Sequence, residues 1–226
     1  MKSKRKALLL LMCAVLLVAS SVFGTIAYLT DSEAVANTFT VGQIHITMDE
    51  ADVNTAGQKL NSEGGVYKDG DTLADRVTAN SYHLLPGQTY TKDPIIHVDD
   101  ESENCYLFVK VENEIENIET GVEADTIRYQ LAKFGWRSVP YTTNIYALDK
   151  DSGFKCTVSA GKDVNVFESF TIDGDKVVNV GDGETVPAGK IDLSDYKNAK
   201  VTITAYAVQA AGFDNAEAAW NATFGK

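Results

Sequence analysis

Two runs of alternating side chains constrain this chain most. Over residues 105–111, Cys105, Leu107, Val109 and Val111 fall on one face of an extended backbone, and Tyr106, Phe108 and Lys110 fall on the other. Successive strand residues point to opposite faces, so a period of two predicts a strand, and aromatics on the second face predict burial on both sides. Over 201–208, Val201, Ile203 and Ala205 alternate with Thr202, Thr204 and Tyr206, as a sheet with two unlike faces requires. Shorter runs over 126–131, 144–148, 154–158 and 164–172 also read as strands. The alternation of Phe39, Val41, Ile44, Ile46 and Met48 breaks once near Gly42, which predicts a bend or bulge at the glycine. Strand character returns over 82–98 around Pro86-Gly87, where proline presets φ and glycine accepts a positive one.

Between these runs, residues 49–75 are polar and carry Gly57, Gly64, Gly65 and Gly70, and so read as a long surface loop. Helix is scarce, and its best candidate is 215–224, with Asp214 as the expected N-cap and Glu217 as its capping-box partner. Many short strands punctuated by Gly, Asp and Asn, with no alternation of strand and helix, predict an all-β fold. The expectation is an antiparallel, jelly-roll-like β-sandwich with a short C-terminal helix and long surface loops.

The N-terminus reads as an export signal. Lys2, Lys4, Arg5 and Lys6 precede an unbroken apolar run over 7–18, after which small residues take over. That order is an n-region, an h-region and a cleavage region, and the run falls short of the roughly 20 apolar residues a spanning helix needs. Thr25 and Ala27 place small side chains before a cut between Ala27 and Tyr28. Cys13 lies within the h-region, behind the large Met12, where a lipidation site wants a small residue. The organisation expected is a signal peptide over 1–27, an N-terminal segment over 28–38 and a β-sandwich domain over 39–226, with membrane association only before cleavage.

Net charge is −12, and it becomes more negative once the cationic n-region is removed. Such a field repels nucleic acid and anionic membranes and favours solubility. Cys105 and Cys156 are an even pair in an exported chain, which permits a disulfide; two unbridged thiols are the other reading.

No constellation of catalytic residues stands out. His45, His83 and His97 are dispersed without metal-ligand spacing, there is no G-x-S-x-G elbow, and no glycine-rich phosphate loop follows a strand. Acidic turns at Asp99-Asp100-Glu101, Asp149 with Asp151, Asp173 with Asp175 and Asp182 with Glu184 offer oxygen ligands. None keeps calcium-loop spacing, and solvated turns account for them. No catalytic residue, metal ligand or cofactor is expected.

Residues 24–31, Gly-Thr-Ile-Ala-Tyr-Leu-Thr-Asp, followed by Asn37-Thr38-Phe39-Thr40-Val41-Gly42, resemble the TasA/camelysin family of Gram-positive bacteria. Leu85-Pro86-Gly87, Lys92-Asp93-Pro94, the run from Tyr106 to Asn113, and Ala210-Ala211-Gly212-Phe213 leading to Glu217-Ala218-Ala219-Trp220 fit the same pattern. Residues 49–75 and 114–200 match nothing in it. The resemblance implies export through a SipW-type signal peptidase and a place at the cell surface or in a biofilm matrix. It also implies self-association, or association with related matrix proteins, as extracellular fibres in which one subunit's N-terminal segment completes the sheet of the next. The donor would be the segment from Tyr28, with Tyr28, Leu29, Val35 and Phe39 as anchors. Two other classes stay open. A secreted carbohydrate-binding or adhesin module would present a concave patch bearing Tyr82, Tyr90, Trp136, Tyr141 or Tyr146. A metalloprotease of the kind ascribed to the camelysin branch would need His45, His83 and His97 to converge with a carboxylate, and no zinc-ligand motif supports it.

Overall fold

A computed structural model describes residues 43–150, 152–181 and 184–225, with Met12, Cys13 and Leu16. The expected cleavage junction at Ala27 and Tyr28, the anchors Leu29, Val35 and Phe39, and the bend near Gly42 lie outside the described residues.

Among the residues from 43 onward that the structure describes, eleven strands and two short α-helices follow in chain order. The strands are β1 (Ile46–Asp49), β2 (Thr89–Thr91), β3 (Ile95–Val98), β4 (Cys105–Asn113), β5 (Trp136–Ser138), β6 (Ile145–Leu148), β7 (Asp163–Asn165), β8 (Ser169–Thr171), β9 (Val177–Val178), β10 (Ile191–Asp192) and β11 (Val201–Gln209). Helix α1 (Ile127–Lys133) precedes β5, and α2 (Ala216–Thr223) follows β11. The fold is an all-β sandwich. One layer is the antiparallel sheet β11-β4-β6-β5; opposite it stand β1-β3-β7 and the pair β2-β8, also antiparallel. Only the two-residue pairing of β9 with β10 is parallel.

The central strand β4 explains why two cores exist. Its odd-numbered side chains, Cys105, Leu107, Val109 and Val111, meet Ile96, Val98, Val164, Phe170 and Ile172 between the layers. Tyr106 and Phe108 point the other way, into a second cluster with Ala147, Val208, Ala216, Ala219 and Trp220 beneath α2. The two-sided burial predicted from the aromatics is therefore supplied by a sheet on one face and a helix on the other.

Several expectations are corrected. Residues 126–131 form α1, not a strand: Thr126 Oγ1 accepts from Tyr129 N at 3.2 Å as an N-cap, and buried Ile127, Gln130 and Leu131 recur at helical spacing. Over 154–158 only Val158 pairs, with Cys105, and Phe154 sits at a left-handed φ of 58°. The run 164–172 divides between β7 and β8 in different sheets. The cap of α2 is Asn215, not Asp214; its side chain accepts from Ala218 N at 2.8 Å, so Glu217 falls one position short of a capping box. The polar stretch 49–75 is internally bonded: Ala51 and Val53 are buried, bridges join Val53 to Lys59 and Leu60 to Val66, and Asn54 and Asn61 side chains cap its turns. The Pro86-Gly87 turn forms as read, with Gly87 at φ 74° and Gln88 N donating to Leu85 O.

Cys105 and Cys156 are unbridged. Cys105 lies in the main core, where burial pushes its thiol up to about 11.

Glu119 is a buried carboxyl beside the start of α1. Burial raises its pKa to about 7, against the bonds it accepts from Ile127 N and Asn113 Nδ2. The folded state therefore holds this proton more tightly than the unfolded chain, and its contribution to stability declines as pH rises from the ordinary glutamate range through 7. Glu119→Gln keeps the acceptor and removes the charge. It is expected to stabilise the protein by about 2 kcal/mol at pH 8 and by about nothing at pH 5. Urea titrations at the two pH values check this; an equal effect at both would exclude ionisation as the cause.

Candidate assembly groove

The ends of the two sheets place β1 and β11 as edge strands. β11 pairs with β4 along all nine residues, from Val201↔Asn113 to Gln209↔Cys105. Among the described residues no strand pairs with its other side, so a row of backbone donors and acceptors stays open there. A groove of about 1030 Å³ lies alongside, with Met48 and Glu50 on one wall and Val201, Ile203 and Tyr196 on the other. The apolar rows flanking it pack on the core yet remain only partly buried: Ile44, Ile46 and Met48 from the β1 side, Val201, Ile203, Ala205 and Ala207 from β11.

Beneath the groove the packing is aromatic. Tyr90 stacks on Phe170 with centroids 5.1 Å apart, and Tyr82 meets both edge-on, at 5.8 Å from Tyr90 and 5.3 Å from Phe170. Their hydroxyls are satisfied locally, Tyr82 donating to Thr91 O and Tyr90 to His83 O while accepting from Leu85 N. Burial, and then the charges of Glu50 and Asp93, raise the Tyr82 phenol well above its ordinary pKa. Gly57 lets the polar stretch cross this cluster: at φ 75°, a Cβ there would stand 2.7 Å from Tyr90 Cα.

An ion lattice closes the β1 side. Lys92 Nζ lies 2.7 Å from Glu50 Oε2 with both side chains almost wholly buried, and Glu50 Oε1 has no hydrogen-bond partner among the described residues. Asp93 takes Lys59 at 2.7 Å, Arg76 at 3.5 Å and the Ala51 amide, while Arg76 also bonds Asp49. His97 stands between Asp49 and Asp163, at 3.1 and 2.7 Å. Burial works against its cation, but the bonds to both carboxylates outweigh it and raise the His97 pKa. Burial likewise opposes the Asp49 anion, and Arg76 and His97 hold it below the usual carboxylate range.

Of the residues singled out in the sequence, Tyr82 and His83 line this groove. Tyr90 is enclosed in the core, Trp136 and Tyr146 border a second concavity, and Tyr141 is fully exposed at the β5–β6 turn. Among the described residues no three His, Cys, Asp or Glu side chains are grouped to hold a metal ion. Several acidic turns are closed by their own backbone: Asp99 accepts from Glu101 N, Asp173 from Asp175 N and Lys176 N, and buried Asp149 from Phe154 N. Among the described residues, no helix is long and apolar enough to cross a membrane. The place of Glu50, Lys92 and Phe170 at the groove escaped the sequence reading because their partners lie about 40 or more residues away; the faint signal was the half-apolar face of β11 ending in Ala205 and Ala207. No family model, curated protein or solved structure matches the chain.

Proposed function

We propose that this chain is an exported structural protein of the cell surface or extracellular matrix, assembling when the N-terminal segment of one copy adds a strand to the groove of another. The observation that carries the reading is the side of β11 that no strand pairs among the described residues, beside a half-covered row of core side chains. An added strand would supply both missing elements at once: backbone hydrogen bonds along β11, and alternating side chains over the open core. The segment has a suitable pattern, since Leu29, Val35 and Phe39 share one parity. Asp31 and Glu33 share it too, and Lys197 and Lys200 line the groove with opposite charge. The export signal over 1–27 and the TasA/camelysin resemblance support the same reading, with a SipW-type peptidase as the processing partner and surfaces, not a catalytic centre, as the working parts.

Negative-stain microscopy of protein beginning at Tyr28, beside protein beginning at Thr40, tests it. Filaments are expected from the longer form and none from the shorter. Filaments from both would move the assembly contact elsewhere, and two folded monomers would remove the proposal.

A further inference from the structure

The second concavity lies on the far side of the four-stranded sheet from β11, along α1 and the edge strand β5. Its volume is about 590 Å³, and its walls include Arg128, Arg137, Trp136, Tyr146, Asn113 and Glu116. Three arginines lie among the described residues, and one of them, Arg76, is committed to Asp49 and Asp93. The other two face this groove, in a chain of net charge −12. Arg128 is exposed and makes no ion pair among the described residues. Arg137 is oriented by buried Asp149, its Nε donating to Asp149 O at 3.3 Å and lying 3.6 Å from Oδ2.

Tyr146 is half-buried, and burial raises its phenol, with the Arg128 charge lowering it and Glu116 raising it. Its hydroxyl thus lies within the field of both groups. The rim is the β5–β6 turn, where Thr142 Oγ1 donates to Val139 O at 2.7 Å. Tyr141 and Asn144 there sit at φ 59° and 58°, the left-handed region that strains a non-glycine residue. The strain presents Tyr141 to solvent and leaves Thr142, Thr143 and Asn144 on the groove wall.

We propose that this groove binds an acidic polysaccharide of uronic-acid type. Guanidinium groups pair with carboxylates through parallel hydrogen bonds. The Asn144 amide, the Thr142 hydroxyl as an acceptor and the Glu116 carboxylate match sugar hydroxyls. Tyr146 adds an apolar wall with a polar tip. Charge complementarity selects the acidic class: two of the three arginines among the described residues line this groove on an otherwise acidic chain. The site is separate from the assembly groove, so it gives a matrix protein a contact for matrix polymer that strand addition leaves free.

Isothermal titration of protein from Tyr28 onward with oligogalacturonate, dextran and inorganic polyphosphate tests the assignment. Oligogalacturonate is expected to bind, dextran is not, and the exposed substitution Arg128→Glu is expected to weaken binding about tenfold or more. Arg128→Lys keeps the charge without the fork and is expected to lose part of the affinity. Protein beginning at Thr40 is expected to bind as well as the longer form, which separates this site from the assembly reading. Absence of oligogalacturonate binding, equal binding by Arg128→Glu, or preference for polyphosphate would each overturn the proposal, the last by showing a general anion patch.

Discussion

Truncating Phe170 to alanine is expected to cost about 3–5 kcal/mol of folding stability, the range for removing a fully buried aromatic ring. Phe170 is 2 % exposed and sits between Tyr90, stacked at 5.1 Å, and Tyr82, edge-on at 5.3 Å. Its strand β8 pairs with β2 through three residue pairs and is also bonded by Thr120 N to Thr171 O and by the Gln130 side chain to Ser169, so the backbone stays in place once the ring is gone. Tyr82 and Tyr90 cannot follow the ring inward without breaking their hydroxyl bonds to Thr91 O and His83 O, which keeps the cavity from collapsing. Urea denaturation followed by tryptophan emission would read the loss as a lower midpoint at unchanged slope. A cost below about 1.5 kcal/mol would mean that this cluster repacks freely and does not brace the groove floor.

Replacing Lys92 by methionine is expected to cost about 3–5 kcal/mol, because it leaves a buried carboxylate without its partner. Glu50 is 4 % exposed, and its Oε1 already lacks a hydrogen-bond partner among the described residues. Adding Glu50→Gln should recover about half or more of the loss at pH 7, since the amide carries no charge to desolvate. The two single variants and the double form a cycle whose coupling measures the pair. Additive effects, with no coupling, would show that Lys92 acts through its aliphatic stem and that the ion pair contributes nothing.

His97 and Glu119 both lose their contributions as pH rises, His97 through its raised pKa and Glu119 through about 7. Stability is therefore set to be greater on the mildly acidic side of neutrality, and Asp49, held low by Arg76 and His97, limits it on the acid side, its contribution being lost as pH falls below the ordinary carboxylate range.

The strands legible in the amino-acid order were those whose alternation is self-contained. β4 and β11 each run nine residues with faces of different character, and a period of two needs no knowledge of the partner. The Pro86-Gly87 turn was legible for the same local reason, proline and glycine each restricting its own φ. Where local signals compete, the order of residues was not enough. Ile127-Arg128-Tyr129-Gln130-Leu131 reads as a short strand, and Thr126 capping Tyr129 N, with burial of Ile127 and Leu131 four apart, makes it α1 instead. The short edge strands β2 and β5 carry too few residues for any period to show, and pairing with β8 and β6 makes them strands.

The groove and the second concavity belong wholly to tertiary structure. Lys92 and Glu50 are 42 residues apart, and Phe170 joins Tyr82 and Tyr90 from a different strand pair. Arg128 and Arg137 face one concavity because α1 is followed at once by β5 on the same edge of the sheet. Local order determined which segments extend, which face of each is apolar, and which residues turn the chain. Which faces meet, and which edges stay open, was decided by packing, because burial is a property of the partner surface that only the folded chain supplies.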